Sequence, residues 1–274
     1  MDDLLHSLLA VLCGALVGFT LGLIGGGGSI MATPLLLYVV GLQPHMAIGT
    51  GALAVSVNAF ANFGGHARSG NVLWRCAVIF AVIGVAGAAF GSILGKQIDG
   101  KQLLFLFAIL MIVVGVLMLR RKDKGTPATE AISPASTRNV CQLWNPKTRN
   151  PLPVASAALG VGALSGFFGI GGGFLIVPGL LFSTGMPMIC AIGSSLLAVG
   201  AFGLTTAISY GMSGLIDWPV AAEYLAGGLV GGLVGMALAT SLAPRKAALN
   251  RVFASLVFIV AGYMLYRNAA VLGL

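Results

Sequence analysis

Charge is what this sequence lacks. Of its 274 residues, seven are Asp or Glu and fifteen are Lys or Arg, 8% in all, where a soluble globular protein carries about 25%. So few charges cannot cover a body of this size in water. Cysteine is scarce too. Cys13, Cys76 and Cys190 fall in apolar stretches and Cys141 in a polar one, with no CxxC and no metal-ligand spacing, so the expectation is buried free thiols. HExxH, nucleophile-elbow and Walker sequences are missing, as are paired carboxylates. Nothing therefore supports ATP hydrolysis or a membrane enzyme, and no metal or cofactor is implied. The leader MDDLLHSLLAVLCGALVGF has no basic n-region and no small-x-small cleavage site, so it is expected to be retained as a first span.

What is present is grease. Apolar residues make up 58% and the mean hydropathy is +1.00. They come in runs of roughly 18 to 25, the length that spans a ~30 Å hydrocarbon layer. The fold class is therefore all-α: a polytopic integral membrane protein whose first partner is the lipid bilayer. The pI near 9.7 invites a nucleic-acid reading, but seven of the fifteen basic residues lie in one hydrophilic stretch, so no nucleic-acid partner is expected.

That stretch divides the chain. Residues 1–119 form one apolar block and 152–274 a second; between them, residues 120–151 are rich in Pro, Ser, Thr and Lys/Arg without hydrophobic period. Such a segment is a linker outside the bilayer, and the positive-inside rule puts it in the cytoplasm. The two blocks are copies. An offset of 144 residues lays GLIGGGGSIMATPLLLYVVG over GFFGIGGGFLIVPGLLFSTG, and Gly25, Gly27, Gly28, Pro34, Leu36, Leu37 and Gly41 meet identical residues. Without a gap, Ala47-Ile48-Gly49-Thr50 meets Ala191-Ile192-Gly193-Ser194, and Trp74 meets Trp218. Internal duplication is the usual construction of secondary transporters, which bind substrate near the midplane between the repeats.

Each repeat reads as about four full spans and one short broken or re-entrant helix. In the first, spans are expected over Leu4–Ile24, His45–Gly64, Trp74–Gly95 and Gln102–Leu119; in the second, over Pro153–Phe168, Ile189–Tyr210, Pro219–Thr240 and Leu249–Tyr266. The short pieces are Ile30–Val40 and Phe174–Ser183. If both return to the side they entered from, there are eight spans and the repeats are parallel; if both cross, there are ten and the repeats are inverted. Segment length favours eight and basic-residue placement favours ten, so both counts stay open here. Gly84, Gly87, Gly91 and Gly95 align with Gly228, Gly231, Gly235 and Ala239. Small residues at this spacing let helices touch in lipid, either between repeats or between the protomers of a homodimer.

Two glycine clusters are the sharpest feature: Gly25-Gly26-Gly27-Gly28-Ser29, and Gly169-Ile170 followed by Gly171, Gly172 and Gly173. Glycine disfavours helix by about 1 kcal/mol per residue relative to Ala, so each cluster reads as a backbone break. Amides at the start of the helix that follows would make an anion site. A dinucleotide loop needs a βαβ unit that is missing, which leaves tight packing of a broken helix as the competing reading. On the next span of each repeat, Thr50 and Asn58, with Ser194 and Ser195, are the candidate substrate contacts. Helix–helix hydrogen bonding is the alternative for each of them. Glu223, near the start of a span, and His66, read as an exposed loop histidine, are the candidates for a coupling proton. His45, beside Pro44, is expected in a turn.

These residues resemble the sulfite exporter TauE/SafE family, also called the TSUP permeases. The likeness rests on GLIGGGGSIMATPLL and GFFGIGGGFLIVPGL, each followed by AIGTG or AIGSS, with a basic linker between. The resemblance implies movement of small sulfur-containing or carboxylate anions, such as sulfite and sulfonates, across the bacterial cytoplasmic membrane. It places the substrate region on Gly25–Ser29, Gly171–Gly173, Thr50 and Ser194. The first copy reads GGGGS where the second reads GIGGG, a departure that makes the half-sites unequal. An anion channel and a non-transporting membrane subunit or scaffold are the alternative functions.

Overall fold

A computed structural model describes residues 2–70, 72–120, 152–169, 173–184, 188–241, 258 and 260–266. Among them there is helix and no strand. In chain order the elements are α1 (Asp2–Ile24), a 3-10 helix (Gly25–Met31), α2 (Ala32–Tyr38), α3 (Pro44–Arg68), α4 (Trp74–Gln97), α5 (Gly100–Arg120), α6 (Leu152–Phe168), α7 (Gly173–Thr184), α8 (Met188–Gly211) and α9 (Trp218–Ser241). Residues 260–266 are also helical. Five stretches are long and apolar enough to cross a membrane, namely Leu5–Leu23, Pro44–Arg68, Trp74–Gln97, Cys190–Gly211 and Trp218–Leu238. The linker lies outside the described residues, as does most of the span expected over Leu249–Tyr266.

Local chemistry sets the boundaries. Pro44 occupies the first turn of α3 after an extended Gln43, where its missing N–H and fixed φ suit a helix start. Gly70 and Gly214 close α3 and α8 at φ +72° and +69°, and their amides donate to Ala67 and Gly211. Only glycine adopts that left-handed geometry without strain. His45 is thus the second residue of α3 rather than part of a turn, and His66 belongs to the last turn of α3 rather than to a loop.

Glycine brings the long helices into backbone contact. Along α1 and α9, Gly14, Gly18 and Gly22 each lie so close to the backbone of Tyr224, Gly228 and Gly232 that a Cβ would overlap it, while Gly231 and Gly235 meet the carbonyls of Ala15 and Phe19. Along α4 and α6, Gly162 and Gly166 meet the backbone of Gly84 and Ala88, while Gly87 and Gly91 meet the carbonyls of Leu159 and Ala163. The two seams are the same seam, with each residue of the first matched by one 144 positions away in the second. The glycine ladders therefore pair helices within one chain, joining the first helix of one block to the third long helix of the other. In lipid, such close approach substitutes for the missing hydrophobic drive.

The order of these contacts gives the helix directions. Numbers rise together along α1 and α9 and along α4 and α6, so each pair is parallel. Thr50 meets Asp217, Asn58 meets Gly228 and Gly65 meets Met236, so α3 is parallel to α9. Between α3 and α8 the order reverses: Gly49 packs on Tyr210, Ala52 on Gly203 and Ser56 on Gly200. These two helices are antiparallel. Leu12, Val82, Phe90, Val230 and Leu233 stay exposed on the outer faces, as surfaces that meet lipid do.

Candidate functional site

The interior that α3 and α8 share with their flanking helices is unusually polar for so apolar a chain. Thr50, Ser56, Asn58, Asn62, Ser194, Ser195 and Thr206 are all buried there. Two of them have the same task. The Asp217 amide donates to Thr50 Oγ1 at 3.0 Å, and the Leu73 amide donates to Ser194 Oγ at 3.0 Å. Asp217 and Leu73 directly precede α9 and α4, where an amide lacks an intrahelical partner. Each hydroxyl therefore pins the start of a neighbouring helix. Asp217 completes its own end by accepting from the Val220 amide at 3.2 Å. Because α3 and α8 are antiparallel, Thr50 and Ser194 lie at opposite ends of the bundle. Ser195 donates back to the Ile192 carbonyl at 2.8 Å.

The first glycine-rich segment differs from the expected open break. Gly25–Met31 is a 3-10 helix running without a gap from α1 into α2. Tighter winding bonds each amide to a carbonyl three residues back, so in the first copy the chain turns while keeping its backbone paired. Gly28 packs so tightly on Thr20 and Leu21 that a Cβ would overlap them, which doubles the chain back along α1. Ser29 behind it is fully buried. In the second copy Gly169 has φ +64° and lies on the Ile48 side chain, and Gly173 opens α7; Gly171 and Gly172 lie outside the described residues. The 3-10 helix packs directly against α7. The structure thus joins the two segments along their length, while their glycine turns fall at opposite ends, one beside the end of α1 and the other beside the start of α3.

Asn58 is the polar residue with the least support. It is 1% exposed, yet neither its Oδ1 nor its Nδ2 has a hydrogen-bond partner. Asn62, one turn on, donates from Nδ2 to the Asn58 carbonyl at 2.9 Å. The Tyr224 hydroxyl on α9 is likewise buried and unpartnered. An unpaired buried polar group costs about 1–3 kcal/mol, and in a bilayer no water repairs it.

The coupling candidates are not brought together. His66 is half-buried with an unpartnered Nδ1, and it follows Gly65, which packs on Met236. Glu223 is half-buried near the start of α9. At 1.5 Å per residue, Glu223 and Met236 are about 20 Å apart.

Sequence reasoning missed Lys96. Its Nζ donates to the Ser209 carbonyl and to Ser213 Oγ, both at 3.0 Å, and lies 5.9 Å from the centre of the Tyr210 ring. His45 stacks loosely on that ring from α3, at 6.3 Å. The available signal was a single lysine ending an apolar span of 24 residues. Cys13 and Cys76 are free and buried, as expected, whereas Cys190 is disulfide-bonded, which corrects the free-thiol reading for that residue. No cluster of His, Cys, Asp or Glu suited to a metal occurs among the described residues.

Long apolar helices around a polar, glycine-packed interior define a multi-pass membrane protein. The family model described as Sulfite exporter TauE/SafE matches residues 10–264, and the chain belongs to that family. It is 53% identical over 258 residues, 94% of both chains, to a "Probable membrane transporter protein" of Xylella fastidiosa strain Temecula1, and 52% identical over the same share to that of strain 9a5c. Bacillus subtilis strain 168 has a relative called "Probable membrane transporter protein YunE", 26% identical over 80% of this chain and 83% of that one. No solved structure matches significantly.

Proposed function

We propose that this chain is a secondary transporter that carries a small anion (sulfite, a sulfonate or a related organic acid) across the bacterial cytoplasmic membrane by alternating access between two homologous halves of inverted topology. The observation that carries this reading is the antiparallel packing of α3 on α8. These two helices are 144 residues apart in sequence, the offset that superposes the two halves. α1 and α3 are both parallel to α9 and α6 to α4, and α4 is parallel to α8, since Leu73 meets Ser194, Gly84 meets Phe202 and Lys96 meets Ser209; α1 and α4 therefore run against their counterparts α6 and α9, as α3 runs against α8. Transporters built from inverted repeats expose a central site by rocking one half against the other.

Parallel α1 and α3 require the intervening chain to return across the layer, which favours ten crossings over eight. Beyond the turn at Gly28, the apolar helix Gly28–Tyr38 rises about 18 Å at ~2.0 and ~1.5 Å per residue, the larger part of the ~30 Å of hydrocarbon. Charge supports the same topology. With residues 120–151 in the cytoplasm, ten crossings leave only Lys96, Lys101 and Arg267 of the fifteen basic residues on the far side, as the positive-inside rule asks. In this reading the first glycine turn, at Gly25–Ser29, and the turn at Gly169 bound the two ends of the pathway. Thr50 and Ser194 hold the helices that line it, and Asn58 contacts the solute.

Flux in proteoliposomes tests the proposal. Uptake of labelled sulfite or sulfoacetate is expected to saturate and to accelerate when unlabelled anion is loaded on the opposite side. Saturation without that acceleration argues for a channel. A lack of flux with sulfite, thiosulfate, sulfoacetate and acetate alike would overturn the reading.

A further inference from the structure

We propose that Asn58 and Tyr224 form a single oxyanion-binding site, placed to one side of the molecule where α1 and α3 of the first half meet α9 of the second. The inference rests on the transport reading above and names the part of the polar interior that holds the solute.

The observation is a broken equivalence. Phe80 on α4 and Phe202 on α8 stack with ring centres 6.2 Å apart, and Gly84, one turn after Phe80, takes the Phe202 ring against its backbone. The residues 144 positions away are Tyr224 for Phe80, Asn58 for Phe202 and Gly228 for Gly84. Gly228, one turn after Tyr224, takes the Asn58 carboxamide against its backbone in the same way. The backbone arrangement is kept and the chemistry is changed. One contact between the halves holds a dry aromatic stack; the other holds a phenol and a carboxamide whose polar ends are buried and unpartnered.

Those donors fit an anion. Asn58 offers two N–H groups and Tyr224 one O–H. The groups around them are neutral: Cys13 and Gly14 on α1, Gly228 on α9, and Asn62, which is already bonded to the Asn58 carbonyl. A cation would call for a carboxylate or several free carbonyls. Neutral donors replace the hydration of an oxyanion without trapping it, as a permeating ion requires. The equivalent contact between α4 and α8 offers phenyl rings only, so the chain loads one anion, not two.

Sulfite serves as the probe, with full-length protein in detergent and in proteoliposomes. Tyr224→Phe installs the residue already accommodated at position 80 and is expected to fold; Asn58→Leu removes the carboxamide. Loss of one hydrogen bond to a charged solute corresponds to about a tenfold change. Each variant is therefore expected to raise the KM for labelled sulfite about tenfold and to lose the rise in Tm that sulfite gives the unmodified protein. A folded Tyr224→Phe variant with its KM within twofold and its sulfite-induced shift intact would overturn the site, whether or not Asn58→Leu folds. If sulfite stabilises the unmodified protein through these two residues but no flux is seen, the site stands and the transport reading falls. If sulfite, thiosulfate and sulfoacetate neither stabilise the unmodified protein nor cross, both fall together.

Discussion

Ser56 donates its hydroxyl to the carbonyl of Gly200 at 2.7 Å, and the two residues are separated by 144 positions, the spacing at which the two blocks superpose. Each therefore faces its own counterpart, which places the pair at the centre of the α3–α8 crossing. Gly200 has no side chain to keep α3 away, and the Phe60 ring packs over it.

That contact is a specific weak point. Ser56→Ala removes a buried hydrogen bond worth about 1 kcal/mol without introducing bulk. A small fall in Tm is expected, with the protein still monodisperse in detergent. A variant as stable as the unmodified protein would show that the hydroxyl contributes nothing at the crossing.

Two glycines on α6 separate packing from composition. A Cβ on Gly162 would overlap the Gly84 backbone, while Gly160 has nothing within 4 Å. Gly160→Ala is expected to be neutral or stabilising by up to about 1 kcal/mol, because alanine favours helix. Gly162→Ala must push α4 and α6 apart and is expected to cut the yield of folded protein sharply. Gly18→Ala, against Gly228, should behave like Gly162→Ala. Equal tolerance at positions 160 and 162, read by size-exclusion chromatography, would remove close backbone contact as the reason for these glycines.

The two pins predict a matched pair of losses. Thr50→Val leaves the Asp217 amide unpaired, and Ser194→Ala leaves the Leu73 amide unpaired, each costing about 1–3 kcal/mol. With the two sites at opposite ends of the bundle and no shared partner, the double variant should show additive falls in Tm. Strong non-additivity would mean that Thr50 and Ser194 act on one site.

How much of this was legible in the sequence depends on the distance over which the information acts. Hydropathy placed a span at Trp74–Gly95 where α4 covers Trp74–Gln97, because span length follows from the thickness of the lipid layer. The 144-residue echo was legible because aligned identities survive in it. Direction was legible only in the placement of basic residues, which segment length opposed, since hydropathy has no sign; the antiparallel relation of α3 and α8 emerges from which residues touch. Asn58 stood out as an amide in an apolar run. The bonding of Thr50 to Asp217 could not be foreseen, because the partner is 167 residues away, and a hydroxyl on a span reads equally as pin or ligand. Tyr224 was hidden beside the Gly227–Gly235 ladder and became visible only against Phe80. The first glycine cluster read as an open break because helix propensity counts the penalty per residue without registering that a 3-10 winding keeps the amides paired.

Inverted halves make a prediction that does not depend on the substrate. Ser69 and Ser213 are both exposed, both lie in the turn closing a long helix, and are 144 positions apart. In the ten-crossing topology they face opposite sides of the membrane, with Ser69 on the side of the basic linker. Ser69→Cys and Ser213→Cys, each in a background without native cysteines, can be treated with a membrane-impermeant maleimide in intact spheroplasts and in inside-out vesicles. Ser213→Cys should react in spheroplasts and Ser69→Cys in inverted vesicles. Labelling of both from the same side would mean that the short segments return without crossing, so that the halves are parallel, and rocking of inverted repeats could not be the mechanism.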